Sequence, residues 1–326
     1  MKKKILDKKN INLSRRGFVS GAALSAAGLA ALPATAQAES VAMCPAGGMV
    51  AWKQPDNNNG LIVQQEQGPS NIQTVGTVGL DYFGHCAFRL TSPRGVTIMF
   101  DPWRNDPSGY WGVWYPKDFP KTKVDIGLST HAHFDHDALD KIEATMLLDR
   151  MVGEFEFADV KITGIADKHA CSAPGWYKWT DAIKEFGQSP CPPNNPHHMD
   201  MSMYLIETGG LRIVMWGDNR HNPSKEALKL LGKVDVLTLP VDGSQHILSY
   251  DQGDSIVRQL NPNVVIPTHY LCEGVSITLT TLQTADEWVN NQKSKMLLKS
   301  SGIQLNLAEV EKMNNEFMYF GANTAT

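Results

Sequence analysis

The sequence predicts an α/β fold, an αββα sandwich in which two mixed β-sheets pack face to face with helices outside. Short apolar segments typical of strands occur in both halves of the chain, and helical patterns follow strands in each half. With 326 residues, of which 42% are hydrophobic and 20% charged, the chain can bury a large core. We therefore expect a single globular domain from 75 to 326.

The first 38 residues have the composition of an export signal. Five lysines among the first nine residues give a basic start, and an uncharged stretch rich in alanine and glycine ends in a small-residue cleavage site. Arg15 and Arg16 stand between them, and this pair resembles the twin-arginine signal. The resemblance implies recognition by the twin-arginine export machinery, cleavage after Ala38 and a periplasmic mature protein. A retained membrane anchor is the alternative, which the weak insertion of alanine and glycine disfavours.

Removal of that segment makes the chain more acidic. The whole chain has a formal charge of −4, and loss of seven basic residues and one acidic residue leaves 23 basic and 33 acidic residues, a charge of −10. Nonspecific nucleic-acid binding needs lysines and arginines that neutralise phosphates, so we expect no nucleic-acid partner. Residues 39–74 are rich in Gly, Pro, Asn and Gln and are predicted to form an extended leader.

Strand patterns begin the globular domain. Three successive antiparallel strands are predicted at 78–82, 87–90 and 96–100. Ser, Pro and Gly at 92–95 predict the turn before the third strand. The apolar run 124–130 lies between turn formers and predicts a buried strand. Beyond it, Asp137 predicts the N-cap of a helix with an apolar face between 138 and 146.

The second half of the chain repeats the pattern of strands followed by helices. Further strands are predicted at 160–165, 202–207, 211–216, 234–239 and 264–269. A helix from 251 should stop before Pro262, because the residue before a proline disfavours helical backbone. Beyond 277 we expect a helix around Glu287 and an edge strand near Gln304. The Trp- and Pro-rich segment 170–195 is predicted to be an inserted loop.

The segment after the strand at 124–130 carries the strongest chemical signal. Three imidazoles and a carboxylate occur within six positions, at His131, His133, Asp135 and His136. Zn²⁺ binds nitrogen and carboxylate ligands together. In extended backbone His131 and His133 point to the same side, whereas His136, next to Asp135, must face another direction. One metal cannot easily take all four ligands, so the spacing favours two adjacent metals.

This motif resembles the H-x-H-x-D-H signature of the metallo-β-lactamase-fold hydrolases. The stretch G-H-C-A-F at 84–88 and the pair Asp101-Pro102 resemble the opening of one branch of that fold. The branch includes the ascorbate-6-phosphate lactonase family and N-acylphosphatidylethanolamine-hydrolysing phospholipase D. The ordered motifs extend from about 75 to 270, and the resemblance implies the metallo-β-lactamase form of the αββα sandwich.

The resemblance also implies seven metal ligands, arranged as two groups and a bridge. These are His131, His133 and His169 for one divalent metal, Asp135, His136 and His269 for the second, and Asp218 as the bridge. The His169 position is open to competition from His198, and His169 is preferred because it ends a predicted strand. The two ions are expected to be zinc, with manganese or iron as alternatives.

Other residues are candidates for contacts with the substrate. The predicted catalytic residues are His85, His246 and the ligand Asp135. The predicted substrate-binding residues are Trp111, Trp114 and His221. A purely structural role remains open for His85, His246 and His221, since histidines at strand ends often only satisfy hydrogen bonds. The loop that holds the two tryptophans could form a hydrophobic wall beside the metals, or it could be a self-packed surface loop.

These expectations together predict an exported metal-dependent hydrolase. A hydroxide held by two metals would cleave an ester-type bond, a phosphodiester or a lactone, in a small-molecule or lipid-like substrate, as the resemblance implies. A β-lactam or thioester hydrolase using the same site is an alternative. A non-catalytic metal-binding module is disfavoured by the intact ligand set. A di-iron redox enzyme would normally bring an electron-carrier domain, for which we expect no room.

Overall fold

The computed structural model describes residues 75–109, 111–170, 200–277 and 282–326. The predicted export signal, the predicted leader, residues 171–195 of the predicted inserted loop and His198 lie outside these residues. Within the described part of the chain, no helix combines the length and apolar character needed to cross a membrane.

Fourteen strands and four α-helices lie in the described residues. The strands are β1 (Val78–Tyr82), β2 (Phe88–Thr91), β3 (Thr97–Phe100), β4 (Lys123–Ser129), β5 (Glu143–Asp149), β6 (Gly153–Phe157), β7 (Val160–Lys168), β8 (Asp200–Thr208), β9 (Leu211–Met215), β10 (Val236–Pro240), β11 (Val264–Thr268), β12 (Lys295–Leu297), β13 (Gly302–Leu305) and β14 (Glu316–Tyr319). The helices are α1 (Lys225–Leu231), α2 (Tyr250–Leu260), α3 (Asp286–Asn290) and α4 (Leu307–Val310).

The first sheet has the strand order β13-β1-β2-β3-β4-β5. Its strands β1, β2 and β3 are successively antiparallel, as predicted, and β3, β4 and β5 are parallel. The expected strand near Gln304 is β13, which lies at one edge of this sheet. It follows from the pairing that β1, β3 and β4 run in the same direction, so their carboxyl ends meet at one edge.

The second sheet has the order β12-β14-β11-β10-β9-β8-β7-β6. The strands β9, β10 and β11 are parallel, while β8 is antiparallel to both β7 and β9. The strands β7, β9, β10 and β11 therefore share one direction and one carboxyl edge. Both sheets are mixed and helices flank them, which confirms the predicted αββα sandwich.

The two sheets share a hydrophobic core and are joined beside the β4 end. Leu128 of the first sheet and Val265 of the second belong to the same buried cluster. The Ser202 amide donates to the Thr130 carbonyl at 2.8 Å, and the Tyr204 hydroxyl donates to the Ser129 carbonyl at 2.9 Å. These bonds fix the end of β4 against β8, so the segment that follows β4 begins from a defined position.

Helix α2 illustrates how a helix is attached to the second sheet. Ser249 and Gln252 form a capping box at its first turn, and Asn261 in left-handed conformation ends it. Gly253 lets the helix approach the sheet closely, since a Cβ there would lie 3.1 Å from a methyl of Val241. The predicted stop before Pro262 is confirmed.

The helix predicted after His136 is wrong. Residues Leu139–Lys141 form one 3-10 turn, and β5 follows and pairs in parallel with β4. Ile142 packs over Gly127 of β4, where a Cβ would lie 2.7 Å from its terminal methyl. The apolar spacing of this segment is compatible with a helix or a strand, and pairing with β4 makes it a strand. Asp137 caps no helix and instead accepts a hydrogen bond from the Arg104 guanidinium at 2.8 Å.

Candidate metal centre

Histidines and aspartates from both sheets converge at the carboxyl edges of the strands. They are His85 beyond β1, Asp101 directly after β3, residues 131–136 beyond β4, His169 directly after β7, Asp218 beyond β9 and His269 directly after β11. Each lies at or beyond the carboxyl end of a strand, where loops usually present functional groups. The topology thus collects side chains that are up to 184 positions apart in the sequence.

One cluster consists of three imidazoles. His131, His133 and His169 each offer a nitrogen, and these nitrogens lie within 4.8 Å of one another. His131 and His169 are buried, whereas His133 is partly exposed. The sequence placed these three residues on one metal, and the structure brings them together. The competing His198 lies outside the described residues.

A second cluster lies beside the first and contains a carboxylate. Asp135, His136, His269 and His85 are all buried, and their donor atoms also lie within 4.8 Å of one another. His136 Nε2 and His269 Nε2 are each 3.7 Å from Asp135 Oδ2. The first three residues are those that the sequence placed on a second metal, and His85 joins them.

Asp218 lies between the two clusters and reaches both. Its Oδ2 atom is 3.3 Å from His169 Nε2, 3.9 Å from His131 Nε2 and 3.1 Å from His269 Nε2. Its Oδ1 atom is 3.4 Å from His136 Nε2. Ligand atoms that share one tetrahedral zinc at bonds of about 2.05 Å lie about 3.3 Å apart. Most of these separations are close to that value, so the donor set fits divalent ions on either side of Asp218.

Buried polar atoms in the centre support the same interpretation. His131 Nε2, His136 Nε2 and Asp218 Oδ1 are buried and have no hydrogen-bond partner of normal geometry among the described residues. A buried polar atom without a partner costs about 1–3 kcal/mol. Imidazole nitrogens and carboxylate oxygens are the chemical types that bind divalent metals such as zinc, so these atoms could hold an ion.

Hydrogen bonds on the outer side of the imidazoles set their tautomers. His136 Nδ1 lies 2.8 Å from Asp101 Oδ2 and His169 Nδ1 lies 2.8 Å from the Ala170 carbonyl, and both partners are acceptors only. Both Nδ1 atoms must therefore carry hydrogen. The Thr130 hydroxyl donates to Asp101 at 2.8 Å, which leaves its oxygen to accept from His131 Nδ1 at 3.0 Å. In all three imidazoles Nδ1 therefore faces the outer partner, and Nε2 is the atom that faces the centre.

From the sequence, Asp101 was recognised only as part of a motif, and its role in orienting the imidazoles was missed. One oxygen accepts from the Thr130 amide at 2.7 Å, and the other accepts from Thr130 Oγ1 and His136 Nδ1. It therefore orients His136 directly and His131 through Thr130. Its φ of 43° is left-handed, as are those of His85 at 56° and His269 at 60°. Such backbone is uncommon for residues other than glycine and often marks a functional site.

Charges in the centre hold both carboxyl groups ionised. Burial alone raises the pKa of Asp218, but the neighbouring His269 and His136 outweigh it and keep the pKa well below its ordinary value. Burial likewise opposes ionisation of Asp135, and its His136 and His85 neighbours again lower the pKa well below the usual range. Burial keeps the pKa of His131 well below its ordinary value, so that imidazole is neutral.

The two histidines predicted to be catalytic both lie against the second cluster. His85 Nε2 is 3.1 Å from Asp135 Oδ2, and its ring centroid is 4.2 Å from that of His269. The His246 ring centroid lies 5.7 Å from that of His269, and the two rings are nearly parallel. Burial lowers the pKa of His85 to about 3 and that of His246 to about 4, so both imidazoles are neutral. They are placed as the sequence predicted, and their roles stay predictions.

The aromatic loop, residues 103–109 and 111–119, packs against the metal motif. Trp114 is buried with its ring edge on Phe134, at a centroid distance of 5.0 Å. The Arg104 amide donates to the Phe134 carbonyl at 3.1 Å. Trp111 is 38% exposed. His221, predicted to bind substrate, is exposed and lies outside the buried clusters.

Comparison with known proteins identifies the class to which this fold and centre belong. Residues 79–269 match the family described as the Beta-lactamase superfamily domain, and the chain belongs to that family. Similar proteins include a UPF0173 metal-dependent hydrolase from Myxococcus xanthus, 26% identical over 220 residues that cover 64% of this chain and 77% of that protein. Another from Ignicoccus hospitalis is 28% identical over 200 residues, which cover 60% of this chain and 83% of that protein.

A solved structure from Thermotoga maritima, of a proposed zinc-dependent hydrolase of the metallo-β-lactamase superfamily, has the same fold. It aligns with a TM-score of 0.51 and 20% identity, and covers 74% of this chain and 98% of that one. The predicted metallo-β-lactamase fold and superfamily are therefore confirmed. The branch suggested by the motif at 84–88 stays a prediction.

Proposed function

We propose that the protein is an exported metal-dependent hydrolase that holds two divalent ions and cleaves an ester-type bond, a phosphodiester or a lactone, in a lipophilic substrate. The observation that carries the proposal is Asp218, whose two oxygens reach imidazoles of both clusters at 3.1–3.9 Å. A carboxylate in that position can give one oxygen to each of two ions. The names of the similar proteins, metal-dependent hydrolases, support the reaction class.

The residues present divide the work in a simple way. His131, His133 and His169 would hold one ion, Asp135, His136 and His269 the other, and Asp218 would join them; zinc suits this mixture, with manganese or iron as alternatives. Ions of this kind supply a water nucleophile at neutral pH and polarise a carbonyl or phosphoryl oxygen. The protein provides imidazoles of which three are oriented by outer hydrogen bonds with Nε2 towards the centre, and two ionised carboxylates.

His85 and His246 would act on the substrate side of the second cluster. Each is neutral and buried, and each lies against the His269 ring. A neutral imidazole has one N–H, and that of His246 can donate to a substrate oxygen without adding charge to the centre. The N–H of His85 is donated to the ionised Asp135 carboxylate at 3.1 Å, so His85 holds that ligand in place and offers Nδ1 only as an acceptor.

The preference for a lipophilic substrate rests on the aromatic loop. Trp111 is 38% exposed and Val113 is 50% exposed. Trp114 of the same loop packs on Phe134 of the metal motif, so this apolar surface lies beside that motif. Each methylene buried against such a surface contributes about 0.8 kcal/mol. A β-lactam could use the same centre but would gain less from this apolar surface.

A panel of substrates tests the reaction and the substrate class together. The zinc-loaded mature protein would be assayed on a phosphodiester, a lactone, a thioester and a β-lactam, each with a short and a long acyl chain where chemistry permits. We expect the phosphodiester or the lactone to be cleaved faster as the chain lengthens, and a chelator to abolish the activity. Turnover of the β-lactam alone, or no dependence on chain length, would contradict the substrate assignment; bound metal without any turnover would indicate a binding module.

Export is tested separately in cells. Replacement of Arg15 and Arg16 by lysine keeps the charge but removes the guanidinium groups that the twin-arginine receptor is expected to read. We expect the double variant to remain in the cytoplasm, as judged by fractionation and by the length of the chain. Normal periplasmic recovery of the shortened protein would rule out this export route.

A further inference from the structure

Tyr115 differs from the other buried tyrosines of the described residues. The hydroxyl groups of Tyr82, Tyr204 and Tyr270 donate to the carbonyls of His85, Ser129 and Gly321 at 3.2, 2.9 and 3.1 Å, respectively. The Tyr115 hydroxyl is buried, in a residue only 1% exposed, and has no hydrogen-bond partner among the described residues. A buried hydroxyl without an acceptor costs about 1–3 kcal/mol, so this one requires an explanation.

The position of Tyr115 points to the metal centre. Its ring meets the His85 ring edge-on at a centroid distance of 6.0 Å, and His85 in turn contacts Asp135. The charges of Asp135 and Asp218 both act on the hydroxyl. Burial first, and these charges next, raise the pKa of Tyr115 well above its ordinary value, so the group is a neutral donor at any working pH.

The surrounding structure prevents the ring from turning to another partner. Trp103 stacks on it at 4.4 Å with an angle of 18°, and the Trp103 indole is itself fixed by a bond to the Phe83 carbonyl at 3.0 Å. Asn105 holds the backbone from both sides, accepting from the Tyr115 amide at 2.9 Å and donating to its carbonyl at 2.8 Å. The donor is thus fixed in advance, the property that makes a hydrogen bond effective in catalysis.

We propose that Tyr115 is a catalytic residue of this centre, whose hydroxyl donates a hydrogen bond to a carbonyl or phosphoryl oxygen of the bound substrate. The assignment rests on the proposed hydrolase function for the identity of that oxygen. The acceptor must carry a lone pair and must come from outside the described residues, which provide none. A substrate oxygen that gains negative charge during ester cleavage meets these conditions.

The variant Tyr115→Phe isolates the hydroxyl, because it keeps the ring that stacks on Trp103. We expect an unchanged zinc content and a melting temperature equal to or above that of the wild type, since a buried polar atom without a partner is removed. On the best substrate of the panel, kcat should fall about 10²-fold, the usual loss for one donor to a developing negative charge. The affinity of the zinc-loaded protein for inorganic phosphate, measured by calorimetry, should fall about tenfold.

Tyr319→Phe is the matched control. Tyr319 is buried and its hydroxyl bonds Asp286, and it belongs to β14, outside the metal centre. This variant should lower the melting temperature and leave kcat, KM and phosphate affinity unchanged. Tyr115→Phe is therefore expected to lower kcat without lowering the melting temperature, and Tyr319→Phe to lower the melting temperature without lowering kcat.

Several results would overturn the assignment. Unchanged phosphate affinity and kcat in Tyr115→Phe would show that the hydroxyl contacts no substrate oxygen. Loss of zinc from the variant would show that Tyr115 supports the metal ligands instead. Failure of the zinc-loaded wild type to bind phosphate would show that the centre holds no phosphoryl oxygen to which the hydroxyl could donate. If phosphate binding weakens as expected while the wild type cleaves nothing on the panel, the proposed function fails and the role of Tyr115 in binding an oxygen stands.

Discussion

The metal centre and the aromatic loop lie side by side but are built in different ways. The centre takes its residues from the ends of strands in both sheets and from the segment after β4. All of them except His133 are buried, and hydrogen bonds from behind hold His131, His136 and His169. The loop takes its residues from one stretch of chain, with Trp103, Trp114 and Tyr115 buried and Trp111 and Val113 exposed. This difference indicates that the centre sets the reaction and the loop sets the choice of substrate.

The strongest way to break this comparison is to remove the bridge. Asp218→Ala should lose at least one of two bound ions together with nearly all turnover, because two cations about 4 Å apart then repel without a carboxylate between them. Elemental analysis of the purified variant and a turnover assay measure both effects. One ion in the wild type, unchanged in the variant, would contradict a dinuclear centre.

Asp159→Asn provides the control for loss of a buried carboxylate in general. Asp159 is fully buried and accepts from Ser92 Oγ at 2.7 Å and from the Arg94 amide at 2.9 Å. None of its partners belongs to the metal centre. The variant should melt at a lower temperature while it keeps its metal content and its kcat.

A second variant tests the membership of the first cluster. His169→Ala removes an imidazole that lies 3.3 Å from Asp218 Oδ2, and should lower the metal content by one ion per chain. His198→Ala should have a smaller effect, and metal titration of the two variants in parallel compares them. The reverse ranking would show that His198 is the ligand.

The effect of Asp101 should be smaller, because it acts through other residues. Asp101→Asn fits the left-handed backbone at φ 43° but places an amide donor where His136 Nδ1 now finds an acceptor. Loss of such an outer partner typically costs 10–100-fold in metal affinity or activity, and we expect about that loss in zinc affinity. Competition with a chromophoric chelator measures it. Asp125→Asn is the control. Asp125 accepts hydrogen bonds from Thr97 at the start of β3, and its replacement should leave zinc affinity unchanged.

Sequence reasoning predicted the centre better than its surroundings. The strand-end positions of His131, Asp218 and His269 could be read locally, since each follows an apolar run that ends at a turn. The outer role of Asp101 depends on β3 and β4 being neighbours, which no local pattern contains. The unpartnered hydroxyl of Tyr115 is visible only after the loop has folded onto His85.

The error after His136 has the same origin. An apolar spacing of three and four residues suits a helix, but Glu143–Asp149 found a parallel partner in β4, and a strand resulted. The strand also leaves Leu147 51% exposed at an edge of the first sheet, which a helical pattern had no means to indicate. Local pattern therefore predicted which segments are ordered, while tertiary pairing decided their form.

The smallest expected effect concerns the loop, and it sharpens the comparison most directly. Trp111→Ala should raise KM for a long-chain substrate about tenfold, since contact with two methylenes at ~0.8 kcal/mol each has that value. It should change kcat little, because the side chain is 38% exposed and lies outside the metal clusters. A rise in KM at constant kcat is the signature of binding shared equally by ground state and transition state. Steady-state kinetics with short- and long-chain forms of one substrate measures the difference, and KM for the short form should not change.

Leu230→Ala is the control, because it removes a side chain that is 55% exposed on α1, and it should alter neither KM nor kcat. If Trp111→Ala lowers kcat with both chain lengths, the loop takes part in the reaction itself, and the division between a centre for chemistry and a loop for selection is wrong.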